Sequence, residues 1–537
     1  MLNMQINNNL PASLALLLLC LIAYGNSLTH EFLMDDRGLI LNNTRIYDPQ
    51  FLQISSKADE GSGTFQKSQA YFRPLYHIFI MLNHSLFGKN AVGYHAVNLI
   101  FHYLGAYAFY VLVSMLFKNA GLALLSGAFY AVHPINGLLV NYSNTTAYSF
   151  MVFAMLAAIV CFLKMNLAEG RCGVYFIFSL SFFAAALLCH EVASFYPLYW
   201  GVCLFCLPEL KPRRAWLYGL CMALIIVIYA WLRSYIVAFP HMFLSAFSFF
   251  DFNVFSYTAS LTQLLSWYFY QLVYPAGIVL MWEGKILTQA PQIILWLGMP
   301  AIFVILLLKA RHTLKQRKAY ILSLGWMAVG VLPVALASLS RPNYGFIIEP
   351  HWLIFVSLAF FAGLGQLWMG LKNRMRPALW AAGLACLLGV YIITGWRYNY
   401  LWANEERYLA YWLGESKEAY LPNFWMGSNY LEKGDLARAK YHYERILQRR
   451  YTDWETYVNL GVIEYYAGNS EAALLYYQKA LAVNNKCADA LNNIGVIFRG
   501  QGERDKARYY FNKALEIDSR HVDARRNLNE IKSRKSN

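Results

Sequence analysis

Eleven apolar stretches, each long enough or nearly long enough to cross a bilayer, govern what this chain can become. They lie near residues 12 to 28, 94 to 117, 120 to 134, 146 to 164, 173 to 189, 194 to 209, 215 to 236, 290 to 309, 319 to 338, 351 to 371 and 377 to 396. About 20 apolar residues span the ~30 Å hydrocarbon layer, and backbone at that depth must satisfy its own hydrogen bonds, so the stretches read as helices. Of 537 residues 58% are hydrophobic and only 14% charged, against about 25% charged in a soluble domain, which excludes a purely water-soluble protein. The nine Cys fall mostly inside apolar runs, and Cys203 with Cys206 has no second pair, so neither a zinc site nor a disulfide scaffold is read from them. No Lys or Arg stands between Met1 and Pro11 and no small-residue cleavage site follows, so the first stretch is expected to be a retained span.

The net charge of +15 is not evenly spread. Residues 398–537 carry 21 Lys/Arg against 18 Asp/Glu, so twelve of the fifteen excess charges belong to the apolar part. They cluster in short loops: Lys164 and Arg171; Lys211, Arg213 and Arg214; Lys309 to Lys318; and Lys372, Arg374 and Arg376. Positive loops resist translocation and mark the cytoplasmic face. With a cytoplasmic N-terminus, eleven crossings place every basic loop inside, and Asp35, His133, Glu191 and Glu349 outside. Loop charge of this kind is no nucleic-acid footprint, and no paired, broken spans suggest the inverted repeats of a transporter.

Beyond Arg397 polar residues return with a 34-residue period. Gly427, Gly461 and Gly495 share it, as do Ala439, Ala473 and Ala507, and Tyr443, Tyr477 and Phe511; Ala480 and Ala514 continue it. Small residues let two antiparallel helices approach while the aromatic fills the space between repeats. The expected organisation is a membrane domain over 1–397, a linker over 398–419, and three repeats with a helical cap containing Leu528 and Ile531 over 420–537, outside the cytoplasm.

The polar residues of the outer face are the candidate site. Asp35 and Asp36 are adjacent directly after the first span; such a pair disfavours joint ionisation and supplies a general base, or shares a divalent cation such as Mg or Mn. Arg73 opens an apolar stretch suited to the interface, at the depth of a lipid phosphate. His95, Asn98 and His102 share one helical face and are expected to line a groove. His133, His190 and Glu191 sit in outer turns, and Glu191 must be paired or reached by water. The longest outer loop, 237–289, carries Trp267, Tyr268, Phe269 and Tyr270, suited to the interface or to an isoprenoid tail. Arg233 ends its span at the outer side, and Arg341, Glu349 and His351 occupy the last outer turn.

Met34, Asp35 and Asp36 with Leu41 to Asn43, Phe72 to Leu75 within the stretch ending at Phe87, Gly93 to Asn98, Ala131 to Pro134, and His190 with Glu191 before Pro197 follow one another in an order that resembles the transmembrane and tetratricopeptide repeat (TMTC) proteins. The resemblance implies an all-α, GT-C-like glycosyltransferase of about eleven spans followed by a soluble α-solenoid, taking a sugar from a polyprenyl phosphate to a Ser or Thr hydroxyl, as protein O-mannosyltransferases do. Asp35 or Asp36 would then deprotonate the acceptor, Arg73 with Arg233 or Arg341 would hold the departing phosphate, and Glu191 and His133 would orient substrate. His190, the Thr145, Thr146 and Ala147 stretch, and Glu349 to His351 depart from the family pattern, so the sugar need not be mannose. Three repeats, fewer than in animal members, point to a bacterial homologue in the inner membrane; a eukaryotic one would occupy the endoplasmic reticulum. Two rivals stand beside this reading: an oligosaccharide or polymer ligase with a lipid pyrophosphate donor, and a non-catalytic scaffold that assembles an envelope or secretion complex through its repeats.

Overall fold

The structure is a computed structural model and describes residues 10–43, 46–47, 72–167, 172–207, 211–236, 254–280, 282–284, 301, 305, 314–338, 346–348, 353–415, 417, 419–448, 453–519 and 521–533. Helix dominates; among the described residues the β-structure is one antiparallel ribbon pairing Trp282–Gly284 with Phe346–Ile348. The described residues divide into two compact units, one ending at Glu405 and the other beginning at Glu406.

In the first unit, apolar runs become α1 (Leu10–Tyr24), α2 (Pro74–Phe87), α3 (Ala91–Phe117), α4 (Ala120–Val132), α5 (Thr146–Leu167), α6 (Cys172–Cys189), α7 (Tyr196–Cys206), α8 (Pro212–Ile236), α9 (Val254–Val273), α10 (Leu314–Ser338), α11 (Ile354–Leu371) and α12 (Pro377–Trp402). Starts follow local chemistry. The Asn90 and Asn119 side chains accept from Val92 and Leu122 N–H and cap α3 and α4, while Pro74 and Pro377 sit where a missing N–H costs nothing. On α8, Trp216, Leu220, Leu224, Val227 and Trp231 form one exposed apolar stripe at helical spacing, the face a bilayer covers.

Seven helices among the described residues are long and apolar enough to cross a membrane, or eight if a bent pair counts as one span. The chain is an integral membrane protein, but the expectation of eleven spans is corrected. The run at 194 to 209 yields only the eleven-residue α7, about half the length that crosses hydrocarbon. The run at 319 to 338 is apolar only over Tyr320–Pro333, and most of 290 to 309 lies outside the described residues. The run at 120 to 134 is half of the bent pair: α4 and the segment Pro134–Asn141 meet at 54°.

That bend frees carbonyls inside an apolar environment, and side chains from neighbouring helices take them up. Tyr24 donates to His133 O, His102 Nε2 to Ala131 O, Asn136 to Tyr130 O, His95 Nδ1 to Val140 O, Asn98 to Tyr142 O and Ser149 to Leu139 O. Asn399 of α12 donates to Ala23 O and accepts from Asn141, tying the last helix to the first and to the bend.

The helices sort the loops to two ends. Asn98 meets Tyr142 and Thr146, so α3 and α5 start together and run the same way. At their far ends lie Lys118 and Lys164; Arg214 Nη1 donates to Met165 O there, and Met369, just before Lys372, lies over Gly121. The described basic clusters therefore share one end, opposite the turn that carries Asp35 and Asp36.

The second unit holds helix pairs Tyr420–Glu432 with Leu436–Gln448, Trp454–Tyr466 with Ser470–Val483, and Ala488–Gly500 with Arg504–Ile517, then a capping helix Val522–Ser533. A Cβ on Gly427, Gly461 or Gly495 would come within 2.9, 2.4 or 2.6 Å of Tyr443, Tyr477 or Phe511, so the glycine column exists for close approach. Gly434, Gly468 and Gly502, also 34 apart, turn each pair with φ of +76°, +85° and +82°. Leu528 and Ile531 of the cap close over Ala507 and Phe511. Glu464 accepts from Lys440 Nζ of the preceding repeat at 2.6 Å and from Asn469.

Candidate active site

The acidic turn is shaped by its apolar neighbours. Phe32, Leu33 and Met34 are buried, with Phe32 edge-on to Tyr94 at 5.1 Å. Met34 takes a left-handed φ of +48°, a conformation that costs a non-glycine residue energy and is held only by its surroundings. The Asp36 amide donates to Leu33 O at 3.0 Å, and Leu33 N–H donates to Asp36 Oδ2 at 3.2 Å. The turn thereby sends the two carboxylates to different environments: Asp36 is buried at 1% exposure, while Asp35 is half-buried. Burial pushes the Asp36 carboxyl well above the usual carboxylate range; Leu33 N–H and the Ser143 hydroxyl oppose this, and the charges of Asp35 and Glu405 add to it.

The cationic partner stands at the start of α2. Arg73 grips Glu191 with two bonds, Nε to Oε2 at 2.8 Å and Nη2 to Oε1 at 2.7 Å, the fork geometry that Arg alone supplies. Burial would raise the Glu191 carboxyl, but the Arg73 charge, His190 and the hydrogen bonds outweigh it and hold the group well below the usual range. His190 Nδ1 accepts Val192 N–H, and its ring packs on Tyr148 at 4.6 Å. Tyr229 of α8 donates to Phe72 O at 3.2 Å and takes a hydrogen bond from Arg233, which brings Arg233 beside the Arg73 backbone. His77, one turn into α2, is pushed down to about 4 by burial and by Arg73.

Tyr76 joins the two halves. Its amide donates to Arg73 O at 3.0 Å, and burial with the charges of Asp35 and Asp36 raises its phenol, which the Arg73 charge opposes. Sequence reading misses Tyr76, although its place three residues after Arg73 on a helix is a usable signal. It also misses Ser143, Tyr229, and the pair formed by Arg37 Nη2 and Glu405 Oε2 at 2.6 Å, whose partners lie far apart in the chain.

Other expected site residues go elsewhere. His95, Asn98 and His102 are fully buried and face the bent segment, not an open groove, because its freed carbonyls need donors. His133 is equally enclosed: Nε2 donates to Leu272 O and Nδ1 accepts Ile135 N–H, so both ring nitrogens hold the bend. Trp267, Tyr268 and Phe269 belong to α9 and are buried, with Tyr270 exposed. Arg341, Glu349 and His351 lie outside the described residues. Among the described residues no three His, Cys, Asp or Glu side chains converge as metal ligands.

The tetratricopeptide repeat family model matches residues 426–482 and 458–521. Protein O-mannosyl-transferase TMTC1 of Mus musculus is 37% identical over 133 residues, 24% of this chain and 14% of that protein. Protein O-mannosyl-transferase Tmtc1 of Drosophila melanogaster is 29% identical over 34% of this chain and 22% of its own length. The matched segments thus span under a quarter of these relatives. Among solved structures, ArnT from Cupriavidus metallidurans bound to undecaprenyl phosphate superposes with a TM-score of 0.40 at 13% identity, covering 91% of this chain and 80% of that one, a likeness too loose to establish a shared fold. The chain is therefore TMTC-like, a helical membrane protein with tetratricopeptide repeats whose sequence similarity runs to the protein O-mannosyl-transferases of that type.

Proposed function

We propose that this protein is a GT-C-type membrane glycosyltransferase that moves a mannose-like hexose from a polyprenyl-phosphate donor to a hydroxyl, that of a protein Ser or Thr. The observation that carries the reading is the split acidic turn beside a clamped guanidinium at one end of the bundle. Asp35 is the base: it deprotonates the acceptor hydroxyl, whose oxygen forms the new bond to the anomeric carbon as the bond to the phosphate oxygen breaks, with inversion. The electron pair leaves on the phosphate, which needs no general acid. Arg73, with Arg233, stabilises that growing charge, and Glu191 fixes the plane in which the Arg73 guanidinium meets it. Asp36, buried and accepting Leu33 N–H, holds the turn. No step is routed through a cation.

The names of the relatives support the chemistry, and the end at which Asp35 lies, opposite the basic loops, supports a non-cytoplasmic site. We place the protein in a bacterial inner membrane, with the repeats over 420–537 on the same side, recruiting the protein acceptor or a partner. Purified full-length protein in liposomes, given a synthetic polyprenyl-phosphate mannose and a Ser/Thr-rich peptide, is expected to release polyprenyl phosphate and form an α-linked product from a β-linked donor. Consumption of a polyprenyl-pyrophosphate oligosaccharide in place of that donor would establish the ligase, and inertness toward both would leave the scaffold.

A further inference from the structure

The acidic turn is fixed at its first half by its own backbone and by burial of Phe32 to Met34. Its second half needs another anchor, because Arg37 opens a wide turn over Arg37–Leu41 whose closing bond runs from Asn42 N–H to Arg37 O at 2.8 Å. Arg37 N–H also donates to Met34 O at 3.1 Å. Both backbone groups of Arg37 are thus shared between the acidic turn and the wide turn, and a shift of Arg37 moves both.

Its side chain ends on Glu405, at 2.6 Å, with the two side chains 34% and 6% exposed. Glu405 in turn stands on a rigid platform. Three residues earlier, Trp402 is fully buried against Tyr142 and Tyr398, and Asn399 is bonded to Ala23 O, Asn26 and Asn141. The carboxylate that receives Arg37 is therefore located by the last membrane helix, the first one and the bend together.

We infer that Glu405 is a positioning residue for the reaction: through its ion pair with Arg37 it fixes the turn that carries Asp35, an inference that rests on the transferase reading. A base displaced by about an ångström loses much of its advantage, so the pair acts on turnover more than on donor binding, which belongs to Arg73.

The test uses the full chain in liposomes with synthetic polyprenyl-phosphate mannose as probe. Glu405→Gln and Arg37→Gln are each expected to lower kcat about tenfold or more while donor KM stays within about twofold. The double variant should be no slower than the slower single, since the two residues work as one unit. Glu405→Asp, which keeps the charge on a shorter arm, should fall between. A second readout does not need catalysis. In Asp35→Cys, the rate of maleimide modification is followed by mass spectrometry on the peptide carrying position 35; adding Glu405→Gln should raise it at least about threefold as the turn opens. If Arg37→Gln fails to fold, Arg37→Lys and the Glu405 series carry the comparison. Unchanged kcat, an unchanged labelling rate, or a double variant slowed by the product of the singles overturns the inference. If the wild-type chain transfers nothing from the probe, the transferase reading falls and labelling alone decides whether Glu405 holds the turn.

Discussion

Burial removes a carboxyl group's hydration, so two adjacent acids that meet different surroundings titrate differently. Unfolded, Asp36 ionises near pH 4; folded, its proton is held to higher pH by burial. Across that window the unfolded chain releases a proton that the folded chain retains, so this residue lowers stability as pH rises from about 4 toward its folded pKa. Asp36→Asn keeps an oxygen to accept Leu33 N–H and has no proton to lose. Its thermal midpoint in detergent should vary less with pH above about 4 than that of the wild type, and its turnover should stay within about threefold. Asp35→Asn should lose at least about a hundredfold in kcat, the usual contribution of a general base. Equal losses in the two variants would reverse the assignment of the base. The adjacency of Asp35 and Asp36 is legible from sequence; their division is not, because it depends on the burial of Asp36 alone of the two, which no spacing rule gives. Arg73 and Glu191 are each legible as charges in apolar context, whereas their bidentate pairing is set by the packing of α2 against the turn after α6.

At the scale of elements, spacing reveals which residues share a face but not what the face meets. His95, Asn98 and His102 occupy one side of α3 as their i, i+3, i+7 positions require, yet their partners are carbonyls exposed by a 54° bend that hydropathy reads as one more crossing. Replacing His102 by Phe keeps a ring against Tyr130, stacked at 5.0 Å, but leaves Ala131 O without its donor. The expected cost is about 1–3 kcal/mol, seen as a lower thermal midpoint with unchanged turnover per folded molecule. Lost turnover at full stability would instead return the stripe to a substrate groove. The repeats are legible because their signal recurs: three columns at one period specify helix, turn and close approach together. A methyl group on Gly461 would sit 2.4 Å from the buried Tyr477 ring, so Gly461→Ala should destabilise the repeat unit by about 1–3 kcal/mol, measurable as earlier protease cleavage within 420–537. Resistance equal to wild type would show that the ring yields without cost.

For the whole molecule, counting apolar runs is a weaker guide than asking which loops lie together. A run can be a half-span such as α7 or one arm of a bend, and each such case changes a count by one. The grouping of ends is firmer, since helix direction and bonds such as Arg214 to Met165 O and Arg73 to Glu191 assign loops to an end without any count. Leu10 begins α1 at the basic end, because α1 finishes beside the acidic turn, and α12 finishes at that same acidic end with Trp402 against Tyr142. The path from 10 to 402 therefore crosses an odd number of times whatever lies in the undescribed stretches. If the basic end faces the cytoplasm, as the proposed function has it on the positive-inside rule, residues that follow Trp402 emerge on the far side together with Asp35. Single cysteines introduced in a cysteine-free background at Lys372 and in the repeats, at Gln478, should react with a membrane-impermeant maleimide from opposite faces in intact cells: position 478 from outside, position 372 only after permeabilisation. A cysteine at position 35, on the side of 478, should likewise react from outside in intact cells. Labelling of 372 and 478 from one face would make the crossing number even, detach the repeats from the acidic end, and leave the proposed base and the proposed acceptor platform on opposite sides of the membrane, an arrangement in which the repeats could not present a substrate to Asp35.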